Sequence, residues 1–115
     1  MLSLKGGEFV VLAGDPSAES GTFALRAKMP PGYKVPPHNH PTAEQVTVLS
    51  GDFVVGTGDK LDEMKGQEFK PGGFVSMPAQ MNHSAWTKNG TIIQVQGQSP
   101  FEFTYLNPAD DPRKQ

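Results

Sequence analysis

The chain has 115 residues, with 10 lysines and arginines against 12 acidic residues, and no cysteine. That excludes disulfides, thiolate metal sites and cysteine nucleophiles, and it offers no basic face for nucleic acid. No apolar run reaches the length of a membrane span, so no membrane partner is expected. The length predicts one domain over residues 1–115, large enough to build a core without staples. The N-terminal "MLSLKGGEFVVLAG" is a poor signal peptide. With cysteine absent, the expectation is a cytoplasmic protein, although a trimmed secreted chain would look the same.

Glycine and proline, 13 and 11 residues, are spread along the chain and divide it into short elements. The first strand is expected at "EFVVLA" (8–13). The next is "TFALRAKM" (22–29), where Phe23, Leu25, Ala27 and Met29 share one face and Arg26 and Lys28 the other. "PPGYKVPP" (30–37) reads as a stiff approach along an edge, because proline fixes its own backbone and donates no hydrogen bond. "EQVTVLSG" (44–51) and "DFVVGTG" (52–58) follow, joined at "SGDF" by a tight hairpin turn. "DKLDEMKG" (59–66) supports at best a helical turn or two. Further strands are expected at "GFVSMPA" (73–79), "HSAWTK" (83–88), "TIIQVQGQ" (91–98) and "FEFTYLN" (101–107). Residues 108–115 read as a loosely held tail. Many short strands between frequent turns predict an all-β antiparallel sandwich or barrel, and closure would protect its edges.

Two of the three histidines stand in "HNHPTAEQ" (38–45). His38 and His40 are two residues apart, so a strand would project both rings the same way. Glu44 lies an even number further on, but Pro41 argues for a kink or loop that swings its carboxylate round. Val46 and Val48 continue the inward face as apolar wall. The third histidine, His83, opens another expected strand. If that strand lies beside the first, three imidazoles and a carboxylate converge, a donor set for Fe, Mn, Ni, Zn or Cu. Taken alone, a His-x-His pair on a hairpin is more often a surface feature than a ligand pair.

The spacing of the neighbouring glycines adds to this. Gly32, His38, His40, Glu44 and Gly51 together resemble the first motif of the cupin superfamily. Gly72, Pro78 and His83 resemble its second motif, with Gln80 and Thr87 standing where that family has glycine and asparagine. The resemblance implies a small antiparallel β-barrel or jelly roll, also called a double-stranded β-helix. It implies one divalent transition metal near a mouth, held by His38, His40, Glu44 and His83. It also implies a homodimer formed through an edge strand, for which 8–13 and 101–107 are the candidates.

Phe23, Met29, Val46, Phe53, Met77 and Ile93 are candidate lining for a substrate pocket, although each also suits a plain core. Thr87 shares a face with His83, and Gln80 stands at the expected mouth. Trp86 faces the other way and reads as outer packing. The leading expectation is a metal-dependent dioxygenase acting on a small organic molecule. The alternatives are a Lewis-acid isomerase or lyase, and a non-catalytic module that senses or binds metal or a small molecule.

Overall fold

The computed structural model describes residues 6–112. Alternation builds its strands. In β2 (Thr22–Met29), Phe23, Leu25, Ala27 and Met29 are buried while Arg26 and Lys28 are exposed. β4 (Glu44–Gly51) buries Glu44, Val46 and Val48, and β9 (Thr91–Gln98) buries Thr91, Ile93 and Val95. The register lines these residues up. Val95 lies between Leu25 and Val46, and Ile93 between Ala27 and Val48. Each such side chain stabilises the fold by about 1.5–3 kcal/mol on burial.

The other strands are β1 (Glu8–Ala13), β3 (Lys34–Asn39), β5 (Phe53–Thr57), β6 (Gln67–Phe69), β7 (Phe74–Met77), β8 (His83–Trp86) and β10 (Thr104–Tyr105). They form two five-stranded antiparallel sheets, in the orders β1-β2-β9-β4-β7 and β10-β3-β8-β5-β6. Val35, Phe53, Val55 and Ala85 of the second sheet pack with the inner face of the first. The result is a jelly-roll sandwich, and the expected closure into a barrel does not occur. β1 and β7 end one sheet, β10 and β6 the other. All six residues of β1, one of the strands nominated for pairing copies, are exposed.

Four local readings need correction. "SGDF" is a corner between sheets, since β4 and β5 belong to different sheets. Gly51 turns there with φ 76°. Asp52 then ties the corner to the 87–90 turn: its N–H donates to the Gly90 carbonyl (3.3 Å), and its carboxylate accepts from the Lys88 and Asn89 N–H groups (2.9 Å each). The proline segment is not an edge approach: β3 lies inside its sheet, between β10 and β8. Its pairing with β8 shifts register between Val35 and His38, so Pro36 and Pro37 occupy the irregularity where no N–H is required. Residues 59–66 form turns and no helix, while β6 just after them carried too few residues to show a period. The strand expected over 101–107 shortens to Thr104–Tyr105.

Beyond it, Pro108–Asp110 forms one 3-10 turn, capped where the Asn107 side chain accepts the Ala109 N–H, and Asp111 is buried. Residues 113–115 of the expected tail lie outside the described residues. Among the described residues no helix is long and apolar enough to cross a membrane.

The corner at Gly51 yields a stability test. A Cβ there would sit 1.9 Å from the Gly90 carbonyl oxygen, whereas at Gly72, with φ 88°, it would meet open space. Gly72→Ala should therefore cost only the left-handed backbone penalty, about 1–2 kcal/mol. Gly51→Ala should cost clearly more, because backbone must move. Thermal denaturation of both variants checks this, and equal losses contradict the role given to the corner.

Candidate metal centre

Both sheets contribute to one end of the sandwich. β3 delivers His38, and His40 follows just beyond its last residue. His83 opens β8 and is the register partner of His38. The chain then bends at Pro41 and Thr42 and crosses to the first sheet. There the Thr42 hydroxyl donates to the Gln98 carbonyl (2.7 Å), and Glu44 begins β4 opposite Gly97. The corner, not strand alternation, aims the carboxylate at the imidazoles. His38, His40, Glu44 and His83 are 2%, 3%, 8% and 2% exposed.

Each imidazole is held by a backbone carbonyl. His38 Nδ1 lies 2.7 Å from the Pro36 oxygen, His40 Nδ1 2.8 Å from that of Glu102, and His83 Nδ1 2.9 Å from that of Met81. A carbonyl only accepts, so Nδ1 must donate in all three, and in a neutral ring the bare lone pair then sits on Nε2. Those Nε2 atoms face one another. His38 Nε2 is 3.1 Å from His40 Nε2, His40 Nε2 is 3.4 Å from Glu44 Oε2, and His83 Nε2 is 3.7 Å from Glu44 Oε1. Ligand atoms about 2.1 Å from a common ion stand roughly 3.0–3.4 Å apart in octahedral or tetrahedral geometry. The three histidine donor atoms lie within 4.8 Å of one another, as a metal ion requires. Two unprotonated nitrogens at 3.1 Å repel unless a positive charge sits between them. The donor set fits a divalent transition ion.

Charge follows the same geometry. Burial, then the neighbouring His83 and His40, push His38 down to about 3. Burial also lowers His40, outweighing the pull of Glu44 and the Glu102 carbonyl. Burial opposes protonation of His83 as well, but its hydrogen bond and charge attraction to Glu44 prevail and raise it. Burial would raise Glu44, and its contacts with the imidazoles reverse this, leaving it below its ordinary value. At neutral pH the site is therefore one carboxylate, two neutral rings, and His83 as the favoured seat for a proton.

A cavity of about 50 Å³ adjoins the site, bounded by His38, Glu44 and His83. Met29, Val46, Phe53, Met77 and Ile93 line it. Phe23, Gln80 and Thr87 are placed elsewhere. Phe23 packs its ring on Phe101 (5.1 Å). Thr87 is buried at the far turn, where its hydroxyl accepts the Gly90 N–H (3.0 Å). Gln80 is exposed with φ 63°, the conformation glycine favours, and only its backbone N–H serves the site, donating to the His40 carbonyl (2.7 Å). Trp86 is buried apart from the main hydrophobic cluster, where a Cβ on Gly66 would lie 2.6 Å from its ring.

The sequence reading missed the strap from Ser99 to Leu106. Phe101 stacks on His40 (4.7 Å, 23°), and Phe103 lies 4.9 Å from the His38 ring and 4.6 Å from that of His40. Aromatic residues at 101, 103 and 105 repeat with period two, a signal that was present in the sequence.

Two outcomes follow. Protons compete with an ion for Nε2. His83, raised above 6.5, takes up its proton first as pH falls, so metal affinity should begin to drop near neutrality. Metal titrations from about pH 8 to about pH 5 check this, and a flat profile contradicts the assignment. His40→Ala should weaken metal binding by more than about 100-fold, beyond the usual cost of losing an outer partner. Its strands should survive, because His40 lies outside the apolar register rows. Elemental analysis and circular dichroism measure the two effects.

Solved structures share the architecture. The polyketide cyclase RemF from Streptomyces resistomycificus superposes with a TM-score of 0.74 at 19% identity, covering 96% of this chain and 78% of that one. The DMSP lyase DddQ from Ruegeria pomeroyi DSS-3 gives 0.72 at 20%, covering 89% and 52%. Salicylate 1,2-dioxygenase from Pseudoaminobacter salicylatoxidans gives 0.67 at 12%, covering 84% and 26%. At these identities the likeness shows the fold alone. No curated protein matches the chain. The profile of the ChrR Cupin-like domain matches residues 2–102, most of the chain, and the protein belongs to that family of cupins.

Proposed function

We propose that this cupin is a metal-dependent oxygenase acting on a small organic molecule. The observation that carries the reading is three Nε2 lone pairs and a carboxylate converging beside an apolar cavity. Four protein ligands on a six-coordinate ion leave two positions for other molecules, and a bound Fe(II) would supply redox chemistry with dioxygen. His38, His40 and His83 would hold the ion in place, each ring fixed by its carbonyl. Glu44 supplies negative charge between His40 and His83. Met29, Val46, Phe53, Met77 and Ile93 exclude water.

The same donor set would serve Mn, Ni, Zn or Cu, and with them the Lewis-acid chemistry of an isomerase or lyase. The likeness to a lyase and a cyclase keeps that variant within the reading. A second reading, a non-catalytic module that senses or binds the metal or a very small molecule, is favoured by the size of the cavity. At about 50 Å³ it is far below the 300–1,000 Å³ of ordinary ligand pockets.

The Fe(II)-loaded protein should consume oxygen with at least one member of a panel of β-diketones and aromatic diols, and form no product anaerobically. Uptake measured with an oxygen electrode checks it. A panel that raises the melting temperature without any oxygen uptake supports the binding module and ends the oxygenase reading.

A further inference from the structure

The cavity beside the metal ligands has one wall unlike the rest. Its other lining residues, from Met29 and Phe53 to His83 and Glu44, are all buried; Phe103 alone is partly exposed. Phe103 is therefore the lining residue that reaches toward solvent while also bounding the space next to His38 and Glu44. The ring lies against two ligand imidazoles, tilted by 30° to His38 and edge-on at 78° to His40. Tyr105 stacks on it at 5.8 Å and 19°. The backbone on both sides is pinned. The Glu102 carbonyl accepts the His40 Nδ1–H, and Thr104 pairs with Asn39. Ser99 and Phe101 anchor the strap further back, donating from their N–H groups to the carbonyls of Gly21 (2.8 Å) and Pro16 (2.7 Å).

We propose that Phe103 is the size gate of the metal centre: its ring closes the path from solvent to the ligand atoms and sets the largest molecule that reaches the ion. A cavity of about 50 Å³ admits a dioxygen-sized or linear triatomic molecule beside the ligands and rejects a bicyclic one. A larger substrate must displace this ring, so Phe103 decides specificity without contributing a donor atom. The assignment rests on the metal reading of the site and on nothing about turnover.

The test uses the Co(II)-loaded full chain and its visible spectrum, with azide and benzimidazole as probes. Removing a large apolar side chain can open a cavity of about 150 Å³, enough for benzene. Phe103→Ala should therefore strengthen benzimidazole binding at least about tenfold over the native protein, with Phe103→Leu between them. Azide affinity should stay within about threefold across all three, because the native cavity already admits it. The leucine variant keeps an apolar contact on the imidazoles and decides the matter where the alanine variant unfolds. Benzimidazole binding to the native protein as tight as to Phe103→Ala overturns the proposal. So does a parallel gain for azide, which would mark general loosening. Absent oxygen uptake sinks the oxygenase reading and leaves this size discrimination standing.

Discussion

Three backbone carbonyls govern this molecule's chemistry. The oxygens of Pro36, Met81 and Glu102 each take an Nδ1–H, and each thereby turns an Nε2 lone pair toward the same point. A free histidine chooses between tautomers; here the backbone has chosen. The carbonyls come from a β3 irregularity, the turn before β8 and the C-terminal strap. Packing of the sandwich is thus what orients the three imidazoles. Burial then keeps His38 neutral, down to about 3, while contacts with the imidazoles outweigh burial and leave Glu44 charged among the rings. Two neutral rings beside a carboxylate suit a cation, and His83 is where a proton competes with it.

The two-sheet layout explains why candidate ligands so close in sequence approach from different directions. Thirty-eight and forty ride on one sheet, and the bend at Pro41 and Thr42 delivers Glu44 on the other. The Glu44 side faces Gly97 across the ladder. A Cβ on Gly97 would lie 2.6 Å from the Ala43 carbonyl, so a glycine is needed where the corner crosses β9. The metal end and the opposite end are built differently. At the far end, the Asp52 carboxylate and the Thr87 hydroxyl accept N–H groups of the 87–90 turn.

Much of this was legible in the residues, for local reasons. β2, β4 and β9 declare themselves through strict alternation, because one face of each is core and the other is not. The histidines were legible because Gly32, His38, His40, Glu44 and Gly51 stand at a spacing that resembles a cupin motif, and the resemblance adds His83. What stayed hidden was non-local. Pro36 and Pro37 argue against an interior strand unless the register break beside them is known. "SGDF" has the composition of a hairpin turn, and only the 87–90 segment that Asp52 binds makes it a corner. The cavity's size and the placing of Phe103 depend on a strap folding back over sixty residues of intervening chain, as the His40–Glu102 contact records.

The central claim is the fixed tautomer, and nitrogen-15 NMR of the imidazole rings reads it directly. In the Zn(II)-loaded protein, all three histidines should carry their proton on Nδ1 and show the metal-bound shift on Nε2. One ring protonated on Nε2, or one whose Nε2 shift does not respond to zinc, would contradict the account.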